Sequence, residues 1–533
     1  MDRRALIAAA GTAIVTDDAD AAAAILASEH GSTADAMRAF AAYWSADYAA
    51  CALFARRAQA SARDPQERAM AMAATLWARA GGAADVEVPD RDTIIAAGTD
   101  VANQPQPQNA VSTLARAFLA DSALMIGRLD IAQAVVPDPS ESARWRNSVL
   151  EVPLHGVCVR VAIFSGRIDQ ARVMLPGLRE AGERHHLLLW PLACEALVAA
   201  MAGDVATARD AIDALLALGL DDTTFPGRGA LMLAAYAAAA AGDEAGAASL
   251  ARRAGGHRDL SLLAAADRAM AVDLLVADAI SRDDEREIIR GELLLADLDH
   301  TALVTLPTLL RTRARILLHR GDTVQAATVA EASAELAGAA ERRLEHGDAR
   351  IIAARALLHA DLPAAARLLR DEVRAADAAG EHALRERAAR VLAAAHRRLP
   401  PPPTAWVGLS PREREVLDLL RAGHDEDAIS DRLHLERSTV HRHLARAMSA
   451  FGSSGRVALL SAAGATGERR PLPELTARQR TVTELMSTGI TNAAIAEVLG
   501  VSSKAVEAHL TQVMLRCEVP TRLALAHRWL LRE

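Results

Sequence analysis

Arg437, Arg442 and Arg446 stand five and four residues apart, with Ser438, Thr439 and His441 between them. Gathered on one helix, guanidinium forks can reach phosphate oxygens and the O6/N7 edge of guanine. The hydroxyls and the imidazole add shorter hydrogen bonds to a sugar–phosphate backbone. Further on, the chain offers a second set: Thr491 and Asn492, then Ser502, Ser503, Lys504, Glu507, Ala508, Thr511 and Gln512. In this set Lys504, Gln512 and Arg516 are the donors, while Glu507 either accepts from a cytosine amine or repels phosphate. The first set is expected to supply more backbone affinity.

Other chemistries find less support. Lys504 is the only lysine, so no GxxxxGK[ST] phosphate loop exists and no Schiff-base lysine stands elsewhere. Cys51, Cys158, Cys194 and Cys517 form no CxxC pair, which argues against a disulfide framework or a zinc site and for a reducing compartment. His441 and His443 are two apart and point to different sides of a helix, so they do not make a metal pair. No cluster of acid, base and nucleophile emerges, so neither catalytic residues nor a cofactor is expected.

The elements that must position the two sets repeat one design. AISDRLHLERSTVHRHL starts at Ala428 and AIAEVLGVSSKAVEAHL at Ala494, and the two copies align without a gap from Leu409 onto Leu475. Ser410 with Glu413, and Thr476 with Gln479, read as capping boxes opening a first helix. Gly423 and Gly489 end it. Asp425 and Thr491 cap a short second helix, and a tight turn follows at His434–Glu436 or Gly500–Ser502. A third helix is expected over Arg437–Ser449 and Ser503–Arg516, with a fourth over Arg456–Ala463 and Arg522–Leu531. In the third helix Val440, Leu444, Ala447 and Phe451, like Val506, Leu510, Val513 and Cys517, form an inward stripe. The opposite face keeps Ser438, His441, Arg442 and Ala445, or Lys504, Glu507, Ala508 and Thr511.

Helix, tight turn and helix with a polar outer face make a helix-turn-helix. At this spacing GITNAAIAEVLGVSSKAVEAHL resembles the LuxR-type (GerE-like) DNA-binding domain, a four-helix module. The resemblance implies double-stranded DNA as partner and the third helix as the reader. Copy one departs from the family in having Glu436 where Ser502 stands in copy two; copy two departs in Ala505, where copy one has Thr439, and in Glu507.

Before Arg398 another unit recurs: IGRLDIA, SGRIDQA, AGDVATA, AGDEAGA, RGDTVQA and HADLPAA. The turn residues Gly127, Gly166, Gly203, Gly242, Gly321 and Ala360 lie about 39 residues apart, apart from one double interval that places a hidden turn near Ser281–Asp283. Each visible turn has alanine five residues on, where two helix axes approach only if the side chain is small. The turns resemble tetratricopeptide repeats, at a longer period, and the whole resembles large ATP-binding LuxR regulators without their ATPase.

The expected fold is therefore all-α: a tetratricopeptide-like solenoid followed by two four-helix domains. Residues 1–110 read as a helical N-terminal region, 111–398 as the solenoid and 399–408 as a proline-rich linker. The domains then fall at 409–463 and 475–533, joined by a linker at 464–474. That linker, extended, would reach roughly 36–40 Å, enough for half-sites about 34 Å apart. The composition agrees: aromatic content is 3%, which favours close-packed Ala/Leu helices. The net charge is −8; an acidic body carries a near-neutral, Arg-rich tail. The longest apolar run, Ala230–Ala241, is too short to span a bilayer, and the cytoplasm is the expected location. The leading reading is a transcription regulator, with a small molecule or protein effector on the solenoid. RNA polymerase and a second copy of the chain are further candidate partners. The alternative is an interaction scaffold whose tail modules serve assembly.

Overall fold

The computed structural model describes residues 2–532 apart from 84–85, 104–109, 257, 299–303, 359, 395–405, 407–408, 452, 454 and 468–470. Among the described residues every regular element is a helix. The run NQPQPQN, Asn103–Asn109, reads as a break in the sequence; apart from Asn103 it lies outside the described residues, as does the Pro400–Pro403 part of the proline-rich linker. The chain divides into two compact units, residues 1–357 with 378–387 and residues 358–377 with 388–533.

The first unit is a succession of antiparallel helix pairs. Gly127, Gly166, Gly203, Gly242 and Gly321 all take left-handed backbone, with φ between +73° and +84°. The residue after each donates its N–H to a carbonyl five residues back, as Asp204 does to Ala199 and Asp243 to Ala238, both at 2.9 Å. This closes one helix in a Schellman-type turn. The same aspartates then cap the next helix: Asp243 accepts from Gly246 N at 2.8 Å. The hidden turn is present, with Asp283 at φ +54° between helices Ala265–Ser281 and Glu285–Ala296. Each alanine five residues beyond a visible turn is buried, from Ala132 to Ala365. At the hidden turn Ile288 takes that place, and the close approach moves to Gly291, where a Cβ would sit 2.3 Å from Val276 Cγ2.

Residues 1–110 use the same turn, with glycine at Gly82 (φ +95°) and otherwise without it. Asp17 (φ +63°) and Ala46 (φ +59°) are left-handed, and Asp18 and Asp47 cap the helices that follow. One apolar core runs without a break from Leu6 to Ile316. The repeats also come round on themselves. Gln133 Nε2 donates to Glu341 at 2.6 Å, and a Cβ on Gly127 or Gly203 would lie 3.1 Å from Val304 Cα or His382 Cβ. All four cysteines are buried and free; burial pushes the Cys51, Cys158 and Cys194 thiols up to about 12.

The second unit holds the twin modules. Copy one has helices Pro411–Arg421, Glu426–Leu433, Arg437–Ala450 and Arg456–Ala463; copy two has Ala477–Ser487, Asn492–Leu499, Ser503–Arg516 and Arg522–Leu530. The boundaries repeat at a constant shift, except that the last helix runs one residue longer than its counterpart. Both capping boxes form. Copy one closes on Val416, Leu420, Ile429, Val440, Leu444 and Phe451; copy two closes on Val482, Ile495, Val506, Leu510, Val513 and Trp529.

Candidate nucleic-acid interface

Each third helix is held by its inward stripe and by a tie at the preceding turn. His434 (φ +50°) and Gly500 (φ +63°) stand at matched positions and both turn left-handed. Arg412 Nη2 donates to Leu433 O, and Arg478 Nη2 to Leu499 O, each at 3.0 Å. Thus the first helix of each copy ties off the end of the second, and the third helix leaves at a fixed angle.

The outer face carries the expected side chains. Arg437, Ser438, His441, Arg442 and Arg446 are exposed, and Thr439 is half-buried. In copy two Ser502, Ser503, Lys504, Glu507, Ala508, Thr511 and Gln512 are exposed, as is Thr491. Ser502 and Thr491 also cap: their hydroxyls accept from Ala505 N at 3.2 Å and Ala494 N at 3.3 Å. Asn492 is half-buried, and its Oδ1 accepts from Arg522 Nη1 at 2.5 Å.

The two faces differ through their supports. In copy one the buried carboxylate of Glu426 gathers Arg456, His441 at 3.3 Å and Arg437 at 3.9 Å. Arg437 also meets Asp427 at 3.0 Å, and Arg446 meets Glu413 at 3.2 Å. The Glu413 carboxyl sits below its usual range because Ser410 N–H and hydroxyl hydrogen-bond to it, with Arg446 adding to the effect. At matched positions in copy two amides replace the carboxylates: Arg522 meets Asn492, and Gln512 meets Gln479 at 3.1 Å. Among the described residues Arg442 is bonded only to Thr439 Oγ1, at 3.4 Å. It is the one arginine of the first set that no carboxylate holds. Exposed bridges such as Arg437–Asp427 are worth little and exchange readily for phosphate. The Glu426 hub escaped sequence reasoning, although an acid in the first turn of the second helix was visible there.

The modules touch each other through their fourth helices. Val457 packs against the core of copy two, and Leu523, at the matched position, packs against the core of copy one. Leu460 is buried within the core of copy two. The turn glycines take part: a Cβ on Gly489 would lie 2.6 Å from Ala458 N, and one on Gly423 2.9 Å from the His527 ring. The contact is reciprocal, as between two subunits about a twofold axis. The start of the segment between the modules, at Gly464 and Thr466, folds back onto the first helix of copy one. Arg421 Nε donates to Gly464 O at 2.9 Å, Thr466 N to Arg421 O at 2.8 Å, and His527 Nε2 lies 3.1 Å from Thr466 O. Helix packing, not linker reach, therefore sets the spacing of the modules.

The family model of bacterial regulatory proteins, luxR family, matches residues 407–463 and 473–529. The chain carries two LuxR-family domains in tandem. Domains of this family bind double-stranded DNA, and they mark the chain as a DNA-binding transcription regulator. No curated protein matches the chain. Among the described residues no helix is long and apolar enough to cross a membrane, and no group of three metal-ligating side chains is assembled.

Proposed function

We propose that the two LuxR-family domains act as one intramolecular pair, reading two half-sites of duplex DNA under control of the helical repeat unit. The observation that carries this reading is the reciprocal packing of Val457 and Leu523, each half-buried against the other copy's core. Two separate chains would make such a contact only by associating; in one chain the association is already made. Each copy keeps its own polar outer face, so the site read is asymmetric. Arg442 and Lys504 are the leading phosphate or base contacts, one per copy, and Arg437 and Arg446 join once phosphate displaces their carboxylates. Control by the repeat unit is supported by its separate core and by a cavity within it.

Electrophoretic shifts of the full chain on duplex DNA over a salt series test this. Affinity is expected to fall steeply with salt, and Arg442→Ala to lower the slope by about one. Lys504→Ala should do the same in copy two, with a smaller loss of affinity. Salt-insensitive retention, or variants that bind like the parent, would instead favour modules that serve assembly.

A further inference from the structure

The repeat unit holds a partly open cavity of about 150 Å³, lined by residues from Phe40 to Glu345. The whole chain has six Trp, three Tyr and six Phe, yet seven of these fifteen rings line this one space. Phe40, Trp44, Phe118 and Phe225 form one wall, with Phe40 and Phe118 centroids 4.8 Å apart and Trp44 and Phe225 5.1 Å apart. Phe164 stands edge-on to Tyr236 at 6.3 Å, and Trp190 lies under the Arg160 guanidinium at 5.3 Å. A core serving stability alone is packed full. This one is left open where the chain has concentrated its scarce aromatic residues.

The charged groups in the lining are unevenly matched. Asp121 pairs with Arg160. Arg342 Nε donates to Glu345 at 2.7 Å, and Thr308 donates to the other oxygen of Glu345, also at 2.7 Å. Asp267 is different. Its carboxylate has only the Tyr236 hydroxyl, at a long 3.4 Å, and no ion pair among the described residues. A carboxylate in apolar surroundings without a cation is costly. Burial accordingly pushes the Asp267 carboxyl up to about 6, with Tyr236 and Arg160 opposing the shift.

We propose that this cavity binds a small organic cation, an amine or quaternary ammonium whose apolar body is about the size of one aromatic ring. An apolar space of this volume holds a single ring. The rings offer negative faces to a cation, and Asp267 supplies a counter-charge that no ion pair among the described residues takes up. Because the walls come from helices along most of the repeat unit, an occupant would tie distant repeats together. This identifies the effector class of the sensor proposed above, and rests on that reading only for its link to DNA.

The test uses the full chain with 2-phenylethylamine, the neutral isostere 2-phenylethanol and the anion phenylacetate, by calorimetry and thermal shift. The amine is expected to bind and raise the melting temperature, with the alcohol and the acid at least about tenfold weaker. Asp267→Asn should abolish that preference while melting as one cooperative unit. Ala266→Leu, which fills the cavity from its wall, should weaken amine binding and leave Asp267 untouched. Equal binding of amine and alcohol, preference for phenylacetate, or no binding of any probe would overturn the proposal. DNA affinity measured on the same protein without probe reports separately on the twin modules: its absence would sink the regulator reading and leave the cavity result standing.

Discussion

Asp267 carries a charge that the folded repeat unit does not want, and this can be read without any ligand. Its folded pKa of about 6 lies above the unfolded value of 3.8. Between those values the folded chain holds more protons than the unfolded one, so this group's contribution to stability is full below about pH 3.8 and is lost as pH rises through 6. The groups that face it, Tyr236 and Arg160, the latter paired with Asp121, come from three other helices. Asp267→Asn mimics the protonated carboxyl. It is expected to stabilise the free protein by about 1–2 kcal/mol at pH 7.5, a figure discounted for the side chain's residual exposure to the cavity. The gain should vanish near pH 4. Urea unfolding at the two pH values checks this, and equal gains at both would show that Asp267 is not the strained group. At the same scale, copy one and copy two show how far single residues can be read from sequence. The exposed third-helix residues from Arg437 to Arg446 and from Ser503 to Gln512 were legible, because helical spacing fixes the face. The partners of Arg446, Asn492 and Gln512 were not, because Glu413, Arg522 and Gln479 reach them from other helices.

The left-handed turns are the elements on which both units depend, and they were legible where glycine filled them or, near Ser281–Asp283, where the period called for one. Gly127 to Gly321 gave the period directly, while Asp17, Ala46 and Asp283 hold the same geometry without the glycine signal. That is why residues 1–110 lack the glycine period of the later repeats although they share the core. The twin modules contain a natural comparison of the two solutions. His434 and Gly500 stand at matched positions with φ of +50° and +63°, and a Cβ at Gly500 would meet nothing within 4 Å. Only backbone strain therefore separates the residues there, and that strain is about 1 kcal/mol for an L side chain. Gly500→Ala is expected to destabilise copy two by about 1 kcal/mol, and His434→Gly to stabilise copy one by somewhat less, since glycine also gains entropy in the unfolded chain. Chemical denaturation of the isolated 404–533 tail, followed by the fluorescence of Trp529 and Trp406, distinguishes the copies. Gly500→Ala without effect would mean that the turn is not held in this state.

At the scale of the molecule, the question raised by the duplication is whether one chain suffices for a paired site. Reading the sequence suggested a tether long enough to span two half-sites; the structure puts the two fourth helices in direct contact instead, a long-range packing that no local pattern encodes. The difference has consequences for binding. With an extended tether the second contact would pay for ordering eleven residues, whereas a preformed pair pays most of that cost on folding. One chain per duplex is therefore the expected stoichiometry, measurable by analytical ultracentrifugation at DNA concentrations above the dissociation constant. Opening the pair should leave each module folded, since Val457 and Leu523 are only partly buried at the edges of the two cores. The double variant Val457→Glu, Leu523→Glu is expected to keep its helical circular dichroism but to lose about 100-fold in specific affinity, falling toward that of one module. Two chains per duplex in the parent, or full affinity in the double variant, would mean that the modules engage DNA independently and that their reciprocal contact serves only to store them.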